Sequence, residues 1–138
     1  QRAAKACAGQ PVRLTWDEWF LQGAEWASLR ADCSRRKVGA LIVREKRVIA
    51  QGYNGTLPGR PGCLECACPR AYSDVPPGSQ YEHGEGACIA IHAELNSLLD
   101  AAKRGVSVDG ADMYVTCEPC QTCTRLIAQA GIKAVIHP

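Results

Sequence analysis

Four residues in two short segments carry the chemistry that this sequence offers. His92 and Glu94 lie two residues apart in one segment, and Cys120 and Cys123 lie three apart in the other, with Cys120 28 residues after His92. A catalytic zinc ion takes three protein ligands and keeps a fourth position open for water. One histidine and two cysteines supply those ligands, and the spacing therefore predicts a catalytic zinc site formed by His92, Cys120 and Cys123.

Glu94 distinguishes a catalytic site from a structural one. Its carboxylate, two residues beyond a ligand, can take a proton from a water on the metal and deliver it to a ring nitrogen and then to a departing amine. Zinc lowers the pKa of its bound water to about 7, so hydroxide is available at neutral pH. The order His-x-Glu followed by Pro-Cys-x-x-Cys is the signature of zinc deaminases acting at C4 of cytosine or C6 of adenine. The alternative is a structural zinc knuckle with Glu94 on the surface.

The hydrophobic pattern indicates the first elements that must position these residues. A capping box at Thr15 begins a first helix that ends near Arg30. Its aromatic side chains follow at helical spacing, and we expect them in the core: Trp16, Trp19, Phe20 and Trp26. The apolar run 38–43 and the return at 48–52 predict two strands joined as a hairpin.

Two further helices and two strands follow. A second helix over 91–104 begins at the His92 segment and has an apolar face of Leu95, Leu98, Leu99 and Ala102. A strand over 113–116 precedes a third helix, which has Pro119 in its first turn and stops at Gly131. A strand over 133–137 completes one α/β domain spanning 1–138. We expect three layers, α/β/α, around a mixed sheet.

The remaining cysteines form a second, looser group. The chain has nine cysteines, and their odd number and clustering favour metal over a complete disulfide set. The stretch 53–87 has no hydrophobic periodicity, and a second, structural zinc would hold such a long loop. The alternative is a set of free or buried thiols. The residues leave six candidate ligands for this site: Cys33, Cys63, Cys66, Cys68, His83 and Cys88.

Other features set limits on partners and location. A net charge of +2, with one Phe and four Tyr, argues against a nucleic-acid groove. No apolar run has the length of a membrane span, and 1–13 is a loose lead-in without the apolar core of a secretion signal. We therefore expect a cytoplasmic protein with a small-molecule substrate. The run Arg35 to Lys37 is either a solvated face or a phosphate contact.

Four motifs resemble the deoxycytidylate (dCMP) deaminases of the cytidine-deaminase-like superfamily. They are Gly-Tyr-Asn-Gly at 52–55, Ile-His-Ala-Glu-Leu-Asn at 91–96, Met-Tyr-Val-Thr at 113–116 and Ile-Ala-Gln-Ala-Gly-Ile-Lys at 127–133. The resemblance implies the cytidine-deaminase-like fold. It also implies that Asn54 hydrogen-bonds the sugar and that the backbone at Ala93 and Glu118 holds the pyrimidine edge. Many members carry a structural zinc, and the family forms homo-oligomers, here a dimer or a hexamer.

The function predicted from the sequence is hydrolysis of dCMP to dUMP and ammonia by a zinc-bound hydroxide, with Glu94 as the proton shuttle. Another cytosine-bearing small molecule, such as a free nucleoside, a modified nucleotide or a nucleoside antibiotic, is the alternative substrate. A non-catalytic, zinc-stabilised binding module is the alternative of a different class.

Overall fold

The computed structural model describes residues 7–72, 74, 76, 84 and 86–138. Over these residues, the α-helices and β-strands follow the order predicted from the sequence. Their bounds are α1 Trp16–Ser28, β1 Gly39–Arg44, β2 Arg47–Tyr53, α2 Ala93–Arg104, β3 Asp112–Val115, α3 Gln121–Gln129 and β4 Ala134–Ile136. Within the described ranges, none of the helices combines the length and the apolar character needed to cross a membrane.

The strands form a mixed sheet, as predicted. Their order is β2-β1-β3-β4. β1 is antiparallel to β2 and to β3, which confirms the hairpin, and β3 and β4 run parallel. The α3 helix connects the two parallel strands, as a crossover must. This arrangement confirms the predicted α/β class.

Alternate residues of β1 face opposite sides of the sheet and create two cores. Leu41 and Val43 pack with Phe20 of α1 on one side. Ile42 packs with Met113 and with Ile127 of α3 on the other side, in a cluster that also includes Ala101 of α2. Helices therefore cover both faces, which confirms the three-layer arrangement and explains why β1 is apolar throughout.

The tryptophans of α1 lie outside the core, contrary to the sequence prediction. Trp16, Trp19 and Trp26 are 43%, 55% and 67% exposed, and only Phe20 of the four aromatic residues is buried, at 2%. A Cβ added at Gly39 would lie 2.0 Å from the carbonyl oxygen of Ala24. The helix thus approaches the sheet through small residues, and this close contact leaves no room for indole rings.

The apolar face predicted for α2 is also wrong in part. Leu99 is 47% exposed, and the buried residues of the helix are instead Ala93, Glu94, Ser97 and Ala101. A Cβ added at Gly52 would lie 2.4 Å from the backbone nitrogen of Ser97. Small residues therefore form the closest contact between α2 and β2, whereas Leu98 is partly buried and packs against the core, as predicted.

The long loop has little regular structure where it is described. Two short 3-10 helices occupy Cys63–Glu65 and Pro69–Tyr72. The predicted lead-in has no helix or strand from residue 7 to α1. His83 lies outside the described residues.

Candidate metal centre and active site

The starts of α2 and α3 converge on one point. His92 is the N-cap of α2, with φ −64° and ψ 149°. Cys120 is the N-cap of α3, and its sulfur accepts a hydrogen bond from the backbone N–H of Cys123 at 3.4 Å. The α3 helix begins at Gln121, so Pro119 precedes the N-cap. The prediction that Pro119 lies in the first turn of this helix is therefore wrong.

The three predicted ligands lie within reach of one ion. The His92 Nδ1 atom is 3.6 Å from the Cys120 sulfur and 3.4 Å from the Cys123 sulfur. Among the described residues, these three form a group that could hold a metal ion, because their ligand atoms all lie within 4.8 Å of one another. One imidazole nitrogen and two sulfurs are donors that zinc prefers, and three protein donors leave a position for water. The residues therefore fit a catalytic zinc ion.

Glu94 lies beside this group in the first turn of α2 and is only 4% exposed. Burial raises the pKa of the Cys123 thiol, and the neighbouring Glu94 carboxylate raises it further. The positive end of a helix lowers a thiol pKa. At Cys123, burial and the neighbouring Glu94 carboxylate outweigh this effect of the helix. A carboxylate and two cysteine sulfurs gathered below the surface fit a divalent cation that offsets their charge.

A cavity of about 540 Å³ opens above the ligands. His92, Glu94 and Cys120 line one part of it, together with Cys117. Its volume falls within the range of about 300–1,000 Å³ that small-molecule sites occupy. The cavity is therefore large enough for a nucleotide-sized ligand next to the metal group.

Asn54 is buried and lines the cavity, but its side chain is engaged with the protein backbone. Its Oδ1 accepts a hydrogen bond from the N–H of Val38 at 2.8 Å, and its Nδ2 donates to the carbonyl of Arg36 at 2.8 Å. An amide has two N–H groups and two acceptor lone pairs, so Asn54 keeps capacity for a sugar hydroxyl. The predicted sugar contact therefore remains compatible with these bonds.

The two backbone positions predicted to hold the pyrimidine differ in placement. Ala93 is fully buried and lines the cavity. Glu118 is exposed and does not line it. Asn96 fixes the start of α2 to the end of β2, because its Nδ2 donates to the carbonyl of Tyr53 at 2.8 Å. The wall that includes Ala93 is thereby held against the sheet.

The second cysteine group is partly gathered. Cys33, Cys63, Cys68 and Cys88 all line the cavity, whereas Cys66 is exposed and lies off it. In the described part of the chain, no three of these sulfurs all lie within 4.8 Å of one another, as the ligand atoms of the first group do. The structure therefore brings four of the six predicted candidates to one cavity.

Two arginines of the sequence run and a third from the loop also line the cavity. They are Arg35, Arg36 and Arg70. The run Arg35 to Lys37 was predicted to be either a solvated face or a phosphate contact, and Arg70 was not predicted at this cavity. Nothing in the sequence signals Arg70, since it lies in a loop without periodicity.

Known proteins resemble this chain over nearly its whole length. The family model described as the cytidine and deoxycytidylate deaminase zinc-binding region matches residues 14–137. The deoxycytidylate deaminase of Mycobacterium phage D29 is 46% identical over 127 residues, which are 91% of this chain and 96% of that protein. The deoxycytidylate deaminase of Schizosaccharomyces pombe is 41% identical over 91% of this chain, but the chain spans only 37% of that longer protein.

A solved structure agrees with these sequence likenesses. The dCMP deaminase of the cyanophage S-TIM5, in complex with dCMP and dUMP, superposes with a TM-score of 0.68 at 33% identity. The match covers 87% of this chain and 78% of that chain. With the paired helix starts, the buried Glu94 and the three-layer fold, these likenesses lead to one conclusion: the chain belongs to the zinc-dependent cytidine and deoxycytidylate deaminase family.

Proposed function

We propose that this protein hydrolyses dCMP to dUMP and ammonia. The observation that carries the proposal is the buried Glu94 beside a three-ligand metal group at one wall of a nucleotide-sized cavity. A structural zinc site would not require a buried carboxylate next to its ligands. The names of the relatives and the dCMP and dUMP bound to the S-TIM5 enzyme support this choice of substrate.

The residues of this chain define the roles in the reaction. His92, Cys120 and Cys123 would hold a zinc ion, which supplies a Lewis acid that lowers the pKa of a bound water to about 7. Glu94 accepts a proton from the attacking water and delivers it to N3 of the pyrimidine as the new C–O bond forms at C4. Glu94 then transfers the proton of the new C4 hydroxyl group to the exocyclic amine; the C4–N4 bond breaks, the C4 carbonyl of dUMP forms, and ammonia leaves.

Burial suits Glu94 to this role. A carboxylate that exchanges protons with a substrate works best where bulk water does not compete for them. Its place in the first turn of α2, two residues after the N-cap His92, keeps it close to the ligand group. The adjacent Ala93 is fully buried, so the helix start is enclosed on that side.

The test is the loss of cytosine absorbance with dCMP and with deoxycytidine, measured in parallel on the zinc-loaded protein. We expect the wild type to turn over dCMP, and we expect Glu94→Gln to lower that rate by about a hundredfold or more. The variant should keep the zinc content of the wild type, because Glu94 is not a ligand. An active Glu94→Gln would remove Glu94 from the mechanism. A wild type that deaminates deoxycytidine better than dCMP would instead point to another cytosine-bearing substrate.

We further propose that the second cysteine group holds a structural zinc. Cys33 accepts N–H bonds from Arg35 and Arg36 at 3.4 Å, and Cys63 accepts one from Ser34 at 3.3 Å. Burial disfavours a thiolate at Cys68, but the N–H groups of neighbouring residues outweigh it and lower the pKa of that thiol. Sulfurs surrounded by N–H donors are typical of metal-bound thiolates.

Oligomeric state and location remain predictions. A dimer or hexamer is expected from the family resemblance, and light scattering on the purified protein would test it. A cytoplasmic location is consistent with nine cysteines that form no disulfide among the described residues, because metal thiolates persist in a reducing compartment.

A further inference from the structure

The Asp32 residue joins two distant segments at the active-site cavity. Its Oδ1 accepts a hydrogen bond from the backbone N–H of Leu64 at 2.8 Å. Its own backbone N–H donates to the carbonyl of Asn54 at 2.9 Å, and Asn54 lines the cavity. Within the described ranges, the Asp32 carboxylate forms no ion pair. Its side chain is therefore engaged by the turn that contains Leu64 and not by a cation.

The carboxylate caps a short turn that cannot cap itself. The 3-10 helix Cys63–Glu65 has Gly62 at its N-cap, and a glycine has no side chain that could accept a hydrogen bond from the first N–H groups of the helix. Leu64 is the second residue of this helix, and its N–H is one that an N-cap side chain ordinarily satisfies. Asp32, which lies 32 residues earlier in the chain, supplies that acceptor from outside the turn.

Gly62 leaves the space that the carboxylate occupies. Its φ of −108° and ψ of −165° belong to extended backbone, so the conformation does not require a glycine at this position. A Cβ added at Gly62 would instead overlap the Asp32 carboxylate, whose Oδ2 is the nearest atom. The missing side chain at Gly62 and the cap from Asp32 are therefore complementary.

The capped turn forms part of the cavity wall. Cys63 is buried and lines the cavity. Its sulfur accepts a hydrogen bond from the backbone N–H of Ser34 at 3.3 Å, two residues after Asp32. The segment 32–34 therefore holds the turn at two points, one at the Leu64 N–H and one at the Cys63 sulfur.

We propose that Asp32 is a positioning residue for the deamination, because its carboxylate fixes the turn at 62–65 against the cavity and keeps the cavity in the form that binds the nucleotide. The inference rests on the proposed function. Asp32 does not line the cavity, so it acts through Cys63 and not on the substrate. When the cap is lost, the turn opens more often, and the apparent affinity falls with the fraction of molecules in which the wall is closed. Glu94 lies on α2, which packs against β2, so kcat should change less.

The test compares Asp32→Ala and Asp32→Asn, with Glu65→Ala as the matched control. Glu65 is an exposed carboxylate of the same turn and does not line the cavity. We expect Asp32→Ala to raise KM for dCMP by about 3- to 10-fold with a smaller change in kcat, and to speed hydrogen exchange of the Leu64 amide by about tenfold or more. Asp32→Asn keeps an oxygen that can accept the hydrogen bond and should recover most of both losses. Glu65→Ala should match the wild type.

Gly62→Ala supplies an independent test. Its methyl group would displace the carboxylate, so this variant should reproduce the changes in KM and in Leu64 exchange that Asp32→Ala causes. In the Asp32→Ala background the methyl group has no carboxylate to displace, and the double variant should match Asp32→Ala alone. Additive effects of the two substitutions would overturn the inference.

The two readouts separate the possible failures. Faster Leu64 exchange with an unchanged KM in Asp32→Ala would show a cap that serves the fold alone and would overturn the positioning role. Unchanged exchange, or a loss in Asp32→Asn as large as that in Asp32→Ala, would overturn the cap itself. A wild type that does not deaminate dCMP would contradict the proposed function, whereas the Leu64 exchange rates would still confirm or refute the cap.

Discussion

Gly52→Ala tests whether close contact between α2 and β2 positions the active site. Gly52 lies in β2, and an added Cβ would lie 2.4 Å from the Ser97 nitrogen and 2.6 Å from the Ala93 carbonyl oxygen. Both atoms belong to the backbone of α2, so no side chain can rotate away to make room. Ordinary contact begins near 3.4 Å, and the helix and the strand must therefore separate by about 1 Å.

That displacement has two expected consequences. Inserting a methyl group into a packed contact costs about 1–3 kcal/mol of unfolding free energy, which for this chain length is a fall in Tm of roughly 3–10 °C. The α2 helix also carries Glu94 and is capped by His92. A misplacement of about 1 Å at a catalytic group can reduce the rate by about a hundredfold. We therefore expect kcat to fall more than stability alone would explain.

The assay is thermal unfolding together with kcat for dCMP at a temperature where all variants are folded. Gly55→Ala is the control, because its Cβ would meet the nearest atom, Asp32 Cβ, at an ordinary 3.7 Å. A Gly52→Ala variant with unchanged Tm and kcat would refute the close contact itself. A lower Tm with unchanged kcat would show that the sheet absorbs the displacement, and α2 would not couple packing to the site.

Two further predictions follow from the packing and from the cysteine group. Phe20→Ala should lower the free energy of unfolding by about 3–5 kcal/mol because Phe20 is 2% exposed, whereas Trp26→Ala should lower it by less than about 1 kcal/mol because Trp26 is 67% exposed. Urea unfolding of both variants measures the difference. Equal losses in the two variants would contradict the exposed position of Trp26. Cys68→Ser should lower the zinc content by one equivalent and lower Tm, while the catalytic zinc stays bound. Substitution of the exposed Cys66 by serine should leave zinc content and Tm unchanged. Identical zinc content in the wild type and the two variants would argue against the second site.

The metal group was predictable because its chemistry is local. Cys120 and Cys123 lie in one turn, and a helix start after Pro119 presents both sulfurs in the same direction. The His92 segment begins its own helix in the same way. Residue types and short spacings determine such a site, and the same information identifies the family and the cofactor.

The packing of the helices was not predictable in the same way. Hydrophobic periodicity indicates where large apolar side chains repeat, and it therefore assigned the tryptophans of α1 and Leu99 of α2 to the core, although all of them are exposed. The helices instead approach the sheet through small residues opposite Gly39 and Gly52. Glycine, alanine and serine contribute little to a hydrophobic pattern, so the sequence does not reveal which face comes closest.

The sequence by itself determined the order of helices and strands, the three residues that could hold zinc and the proposed proton shuttle. Only the tertiary structure decided what surrounds them. It placed Arg35 and Arg36 on the same cavity as Glu94, although more than fifty residues separate them along the chain. It also brought the Asn54 side chain into hydrogen bonds with the Arg36 carbonyl and the Val38 N–H. Such contacts join segments distant in sequence, and their geometry follows from how the layers pack and not from any local pattern.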